Sequence, residues 1–83
     1  MQKIIFFTTF GCDLCENVER MFSQFFLDNV GQNKFKLEVF DIIDDELVME
    51  QYRTKIPVLK NIETSQELVW PFSYSEFLNW LPS

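Results

Sequence analysis

The sequence Gly-Cys-Asp-Leu-Cys at residues 11–15 decides the fold, because it joins an apolar run at residues 4–7 to a helical pattern at residues 16–27. It predicts that Cys12 and Cys15 lie on the first turn of a helix that follows a strand. The first backbone N–H groups of a helix have no intrahelical partner and, with the helix dipole, favour negative charge. A cysteine placed there ionises more readily than a free thiol, whose pKa is ~8.5. The second sulfur is close enough to form a disulfide with the first and to resolve a mixed disulfide.

Size and composition predict one small globular domain over residues 1–83. Ten Phe, two Trp and two Tyr supply large side chains for the core of a short chain. A net charge of −6 and scattered basic residues argue against nucleic-acid binding, and no apolar run approaches the ~18–20 residues of a membrane span. The N-terminus has no signal-peptide pattern. We therefore expect a cytoplasmic monomer that binds neither nucleic acid nor a membrane.

The chain contains no histidine, which excludes histidine as a general base or a metal ligand. Mononuclear zinc takes four ligands, usually Cys or His, so two cysteines could hold a metal or cluster only with a second protomer or an added thiol. Two cysteines this close in sequence also cannot join distant elements. We predict redox chemistry and no metal.

The remaining pattern predicts the element order βαβαββα. The predicted strands cover residues 3–8, 35–43 and 67–70, with a further strand opened by Pro57 within the run 55–59. The predicted helices begin near Cys12, at Asp44 or Asp45, and near Ser73. A strand, a helix and another strand require a right-handed crossover and a parallel pair, so the sheet is mixed. Helical periodicity predicts a set of aromatic core residues, namely Phe22, Phe25, Phe26, Phe77 and Trp80. A second apolar set is predicted in turns near the cysteines, either docking a partner or covering the core: Phe10, Leu14, Trp70 and Phe72.

Three features together resemble the thioredoxin fold in its short glutaredoxin form, over essentially the whole chain. They are the Cys12–Cys15 motif, the run Ile56-Pro57-Val58 and the terminal helix, and residues 70–72 (Trp-Pro-Phe) further resemble a group of small glutaredoxin-like proteins. The resemblance implies a four-stranded mixed sheet flanked by helices, and a cis proline facing the cysteines. We predict Cys12 and Cys15 as catalytic residues. The predicted substrate-binding residues are Phe10, Gly11, Leu14, Lys55, Ile56 and Pro57.

Several positions depart from the glutaredoxin pattern. Asp13 and Leu14 stand where glutaredoxins usually carry Pro and Tyr, and the Asp13 carboxylate opposes ionisation of Cys12. Residues 70–73 replace the Gly-Gly pair and acidic residue that meet glutathione, and Pro71 has no N–H to offer. Phe6 replaces the buried Asp of thioredoxins. We predict no bound cofactor, and glutathione is considered only as a co-substrate.

Two functions follow from these patterns. The first is a dithiol–disulfide oxidoreductase that exchanges a Cys12–Cys15 disulfide with a disulfide-containing protein or small thiol and is regenerated by a thiol reductant. The alternative is a thioredoxin-like binding module that recognises a partner through a groove at Ile56 and Pro57 while its cysteines stay redox-idle.

Overall fold

The computed structural model describes residues 1–32 and 34–82 and has the predicted element order. Among these residues the strands are β1 (Gln2–Thr8), β2 (Phe35–Asp41), β3 (Val58–Asn61) and β4 (Glu67–Val69). The helices are α1 (Asp13–Asp28), α2 (Glu46–Tyr52) and α3 (Tyr74–Trp80), and a 3-10 turn (Ile42–Asp44) precedes α2. The predicted α/β fold class is confirmed.

The four strands form one mixed sheet in the order β2-β1-β3-β4. β1 pairs with β2 in parallel and with β3 antiparallel, and β3 pairs with β4 antiparallel. β1 is therefore a central strand, which explains its continuously apolar sequence. Phe7 lies opposite Val58 in this register. Pro57, the residue before Val58, consequently lies beside the end of β1, where the chain turns toward the cysteines.

The larger core lies between the sheet and the helices α1 and α3. Phe22 of α1 is its hub, with ring centroids 4.9 Å from Phe77 and 6.1 Å from Phe6. A smaller cluster covers the opposite face, where Tyr52 of α2 stacks on Phe7 at 4.2 Å. Burial of aromatic rings on both faces offsets the small size of the domain.

Side-chain caps fix where the helices begin. The Asp45 carboxylate accepts hydrogen bonds from the backbone N–H groups of Leu47 and Val48 at the start of α2. Ser73 and Glu76 form the reciprocal capping box of α3. The capping box is the predicted one, and of the two predicted caps of α2, Asp44 and Asp45, the structure selects Asp45.

Several predicted boundaries and one predicted core residue are wrong. β2 ends at Asp41 rather than at residue 43, because the Asp41 carboxylate accepts a hydrogen bond from the Ile43 N–H and turns the chain into the 3-10 segment. β3 begins at Val58, after the proline, and β4 ends at Val69. Phe26 is 40% exposed, at the margin of the core. Within the described residues, no helix combines the length and apolar character needed to cross a membrane.

Candidate functional site

The turn between β1 and α1 brings the cysteines to the end of the central strand. Gly11 has a φ of +81°, a conformation that favours glycine. The backbone N–H of Cys12 donates to the Thr9 carbonyl at 3.3 Å and closes the turn. Cys12 itself is extended, with φ −85° and ψ 104°, which is the backbone conformation of a helix N-cap.

Cys12 caps α1 with its sulfur. Its Sγ accepts a hydrogen bond from the backbone N–H of Cys15 at 3.2 Å. The helix therefore begins at Asp13, one residue later than the prediction that placed both cysteines within the first turn. An N–H group and the positive end of the helix dipole both face the sulfur, and both favour its negatively charged form.

The two cysteines form a disulfide and differ in exposure. Their Cα atoms are 5.3 Å apart, within the usual range for disulfides. Cys15 is 2% exposed and belongs to the larger core cluster, whereas Cys12 is only partly buried at its margin. An incoming group therefore meets the Cys12 sulfur first.

A surface cavity of about 220 Å³ opens beside this disulfide. It is lined by both cysteines, by residues of the preceding turn and by two carboxylates of α1: Thr8, Thr9, Phe10, Gly11, Cys12, Cys15, Glu16 and Glu19. Glu16 and Glu19 are absent from the predicted site residues. They follow Cys12 and Cys15 by four positions each, and this spacing places side chains on the same side of a helix.

The predicted binding residues divide between exposed and buried positions. Phe10 is 98% exposed beside the disulfide cavity. Leu14 lies in α1, not in a turn, and is 48% exposed. Phe72 is buried in the larger core cluster, so of its two predicted roles the structure selects core packing. Trp70 is partly buried, with its ring 5.1 Å from that of Phe72.

The proline segment precedes β3, whose first residue, Val58, lies opposite Phe7 of β1. The Ile56–Pro57 bond is cis, as the resemblance implies, and Ile56 packs against both core clusters. The Trp70 backbone N–H donates to the Pro57 carbonyl at 3.2 Å, which ties this segment to the start of the Trp-Pro-Phe turn. The Trp70–Pro71 bond is also cis, which the sequence did not predict. Lys55 is exposed and is not among the described residues that line the disulfide cavity.

A perturbed titratable group, Tyr52, lies on the other face of the sheet from α1. Burial of Tyr52, its hydrogen bond to the Glu67 carboxylate and the charge of Glu67 together raise its pKa to about 12. Tyr52 is therefore neutral at physiological pH and links α2 to β4. The contacts of Tyr52 therefore stabilise the fold and do not belong to the site at the cysteines.

Comparison with known proteins agrees with this fold. Residues 3–82 match the family model of the glutaredoxin-like domain (DUF836). The chain is similar to the X-ray structure of target protein XcR50 from X. campestris, with 24% identity, coverage of 95% of this chain and 99% of that chain, and a TM-score of 0.69. It is also similar to the solution NMR structure of protein Ne2328 from Nitrosomonas europaea, with 26% identity, coverage of 99% and 92%, and a TM-score of 0.72.

The same fold occurs in thioredoxin 1 from Thermosipho africanus TCF52B, at 20% identity, with 93% of this chain and 86% of that chain covered and a TM-score of 0.65. This likeness confirms the predicted thioredoxin fold. None of the curated proteins matches this chain.

Proposed function

Because the chain belongs to the glutaredoxin-like domain family, we propose that it is a dithiol–disulfide oxidoreductase in which Cys12 and Cys15 are the catalytic residues. The observation that carries the proposal is the asymmetry of the pair. Cys12 is partly exposed and caps a helix, while Cys15 lies buried behind it within bonding distance. An accessible attacking sulfur with a protected resolving sulfur is the arrangement that two-step disulfide exchange requires.

In the reduced protein, the Cys12 thiolate attacks one sulfur of the substrate disulfide. The substrate S–S bond breaks, one substrate thiolate leaves and takes up a proton, and a mixed disulfide joins the substrate to Cys12. The Cys15 thiol then loses its proton and attacks Cys12 Sγ, which releases the second substrate thiol. Two electrons pass from the cysteine pair to the substrate, and a thiol reductant later returns them.

The backbone N–H of Cys15 assists exchange in both directions. It donates to Cys12 Sγ in the disulfide form, and the same contact stabilises the Cys12 thiolate in the reduced form. When an external thiol reopens the disulfide, it attacks Cys12 Sγ and the Cys15 thiolate leaves. A second thiol then attacks the external sulfur of the mixed disulfide, and the stabilised Cys12 thiolate is the better leaving group in this step. The helix start therefore acts in both directions of exchange.

Substrate recognition is assigned to the surface around Cys12. Phe10 exposes nearly its whole ring, and burying a phenylalanine in a complex contributes about 1.5–3 kcal/mol. We propose supporting contacts for Gly11, which lines the disulfide cavity, and for four residues outside its lining, namely Leu14, Lys55, Ile56 and Pro57, of which Pro57 has a fully buried side chain. The proposed substrates are protein disulfides or disulfides of small thiols, and no bound cofactor takes part. The chain is proposed to act as a monomer in the cytoplasm, where thiol reductants keep the cysteine pair reduced.

A trapping experiment tests the mechanism. Reduced protein is mixed with 2-hydroxyethyl disulfide and analysed by mass spectrometry without added reductant. The parent protein should lose two hydrogen atoms and release two equivalents of 2-mercaptoethanol. Cys15→Ser should instead accumulate a 2-mercaptoethanol adduct on Cys12. A Cys15→Ser protein that forms no adduct under conditions that oxidise the parent would contradict the assigned roles.

The alternative proposal is a binding module with redox-idle cysteines. Its support is the acidic surroundings of the sulfurs, since Asp13, Glu16 and Glu19 are exposed carboxylates that disfavour a nearby thiolate. The two proposals separate on mild oxidation. An oxidoreductase re-forms the Cys12–Cys15 disulfide within the time of an assay, whereas a binding module keeps two free thiols and still retains its partner.

A further inference from the structure

The cavity beside the Cys12–Cys15 disulfide has an acidic wall. Glu16 and Glu19 line it together with both sulfurs, and both glutamates are exposed. No Lys or Arg is among the described residues that line this cavity. A group that reaches the sulfurs through the cavity therefore passes two carboxylates and meets no cation on the way.

These two carboxylates keep their charge available. Within residues 1–32 and 34–82, neither Glu16 nor Glu19 takes part in an ion pair, and the ion pair there joins Lys3 to Glu38. The nearest cation in sequence, Arg20, is directed elsewhere: its guanidinium donates to the Asn17 side chain. Arg20 lines a separate groove with Trp70 and other residues, not the disulfide cavity.

We infer that Glu16 and Glu19 are specificity-determining residues, which favour disulfides flanked by cationic groups and disfavour anionic disulfides. The inference rests on the proposed exchange reaction and names its substrate class. A substrate ammonium or guanidinium beside the scissile bond enters a region of negative potential, which raises its local concentration and rate of encounter. A carboxylate at the same position is repelled, and the doubly anionic disulfide of glutathione falls in this disfavoured class.

The test compares three small disulfides of different charge with the reduced protein. Cystamine carries two ammonium groups, 2-hydroxyethyl disulfide is neutral and 3,3′-dithiodipropionate carries two carboxylates. In each reaction one protein disulfide forms, one substrate disulfide breaks and two substrate thiols are released. The measured quantity is the cystamine rate divided by the dithiodipropionate rate, and comparing this ratio between variants cancels the intrinsic reactivity of each disulfide.

Glu16→Gln and Glu19→Gln should each lower this ratio by about two- to fourfold at low salt, and the double variant by about four- to fifteenfold. The matched control is Glu46→Gln/Glu50→Gln, which removes the same charge from α2, where both residues line a different cavity. This control should leave the ratio close to that of the parent. The discrimination of the parent should also weaken in high salt.

The outcomes separate the inference from the function on which it rests. If the parent reacts with none of the three disulfides, the proposed oxidoreductase function fails. If it reacts with the neutral disulfide but the Glu16→Gln/Glu19→Gln protein keeps the parental ratio, the charge selection is overturned. An equal fall in the α2 control would also overturn it, because the effect would then belong to the net charge of the chain.

Discussion

The first turns of α1 and α3 share one capping geometry but differ in the side chains that form it. At α3, Ser73 Oγ accepts from the Glu76 N–H at 3.1 Å, and a Glu76 carboxylate oxygen accepts from the Ser73 N–H at 2.9 Å. At α1, Cys12 occupies the cap position and Cys15 the position of the glutamate, and the Cys15 N–H donates to Cys12 Sγ at 3.2 Å. In α3 two polar side chains close the ring, whereas in α1 a sulfur–sulfur bond closes it.

This difference shows which feature of the chain would supply the proposed reactivity. A hydroxyl and a carboxylate at a helix start satisfy otherwise unpaired N–H groups and stabilise the helix. A sulfur at the cap position satisfies the same donor, yet it is also a nucleophile whose charged form the donor favours. In the proposed mechanism, the replacement of oxygen by sulfur thus makes an ordinary capping interaction part of a reactive centre. Three experiments break or sharpen this comparison, and a fourth measures a hydrogen bond elsewhere in the molecule.

Cys12→Ser should give the largest effect. Serine is a preferred N-cap, so the variant should melt within a few degrees of the reduced parent protein. It lacks the nucleophile, and its rate of disulfide exchange should fall on the order of 10³-fold or more. Initial rates with 2-hydroxyethyl disulfide and thermal melting by circular dichroism measure the two quantities. If the variant retained disulfide exchange, Cys12 would serve only as the cap of α1 and not as the nucleophile.

Tyr52→Phe measures a side-chain hydrogen bond that lies away from both helix starts. Loss of the bond to Glu67 should lower the free energy of unfolding by about 1.5 kcal/mol at pH 8. The folded-state pKa of about 12 exceeds the ordinary value of 10.0, so this stabilisation is complete below pH 10 and is lost as the pH rises toward 12.

Denaturant titrations of the oxidised parent and Tyr52→Phe proteins at pH 8, 10 and 11.5 would measure this dependence. The difference in unfolding free energy between the parent and Tyr52→Phe proteins should be smallest at pH 11.5. A gap that widens with pH would contradict the assigned hydrogen bond.

Ser73→Ala removes the unreactive member of the comparison. Loss of the cap should lower the free energy of unfolding by about 1 kcal/mol, which corresponds to roughly 4–8 °C in the melting temperature of a domain this small. Ser75→Ala is the matched control, since Ser75 is exposed and does not cap the helix. Exchange rates should be unchanged in both variants. A fall in rate for Ser73→Ala would mean that the two helix starts are coupled.

Asp13→Asn should give the smallest effect. The Asp13 carboxylate lies next to the capping sulfur in sequence and opposes its negative charge, so its removal should make Cys12 of the reduced protein react about two- to fourfold faster with iodoacetamide at pH 7. Asp44→Asn, in the 3-10 turn, controls for net charge. A slower reaction in Asp13→Asn would show that the carboxylate assists the thiolate.

Local patterns predicted the parts of the molecule that depend on a few neighbouring residues. The cysteine motif and the Ser73–Glu76 capping box each specify their geometry within four residues, so the sequence predicts them directly. For α2 the sequence offered Asp44 and Asp45, and the structure uses Asp45. The Ile56–Pro57 bond was predicted through family resemblance, not from its own residues. The fold class followed from these elements and their order.

Positions that depend on distant packing were harder to predict. Ile42 and Ile43 extend the apolar run of β2, but the Asp41 side chain offers a competing hydrogen bond and ends the strand. Phe26 belongs to the apolar stripe of α1, but the core does not cover the whole stripe, and Phe26 remains 40% exposed. Phe72 follows a turn, and only the path of the chain after that turn brings its ring into the core.

The burial of Cys15 has a consequence for the energetics of the whole chain. Oxidation and unfolding form a thermodynamic cycle, so the difference in unfolding free energy between the oxidised and reduced proteins equals the difference in reduction free energy between the folded and unfolded cysteine pair. For a two-electron couple, about 30 mV corresponds to 1.4 kcal/mol. Any contact that holds one redox form of the buried sulfur more tightly therefore shifts the midpoint potential of the cysteine pair.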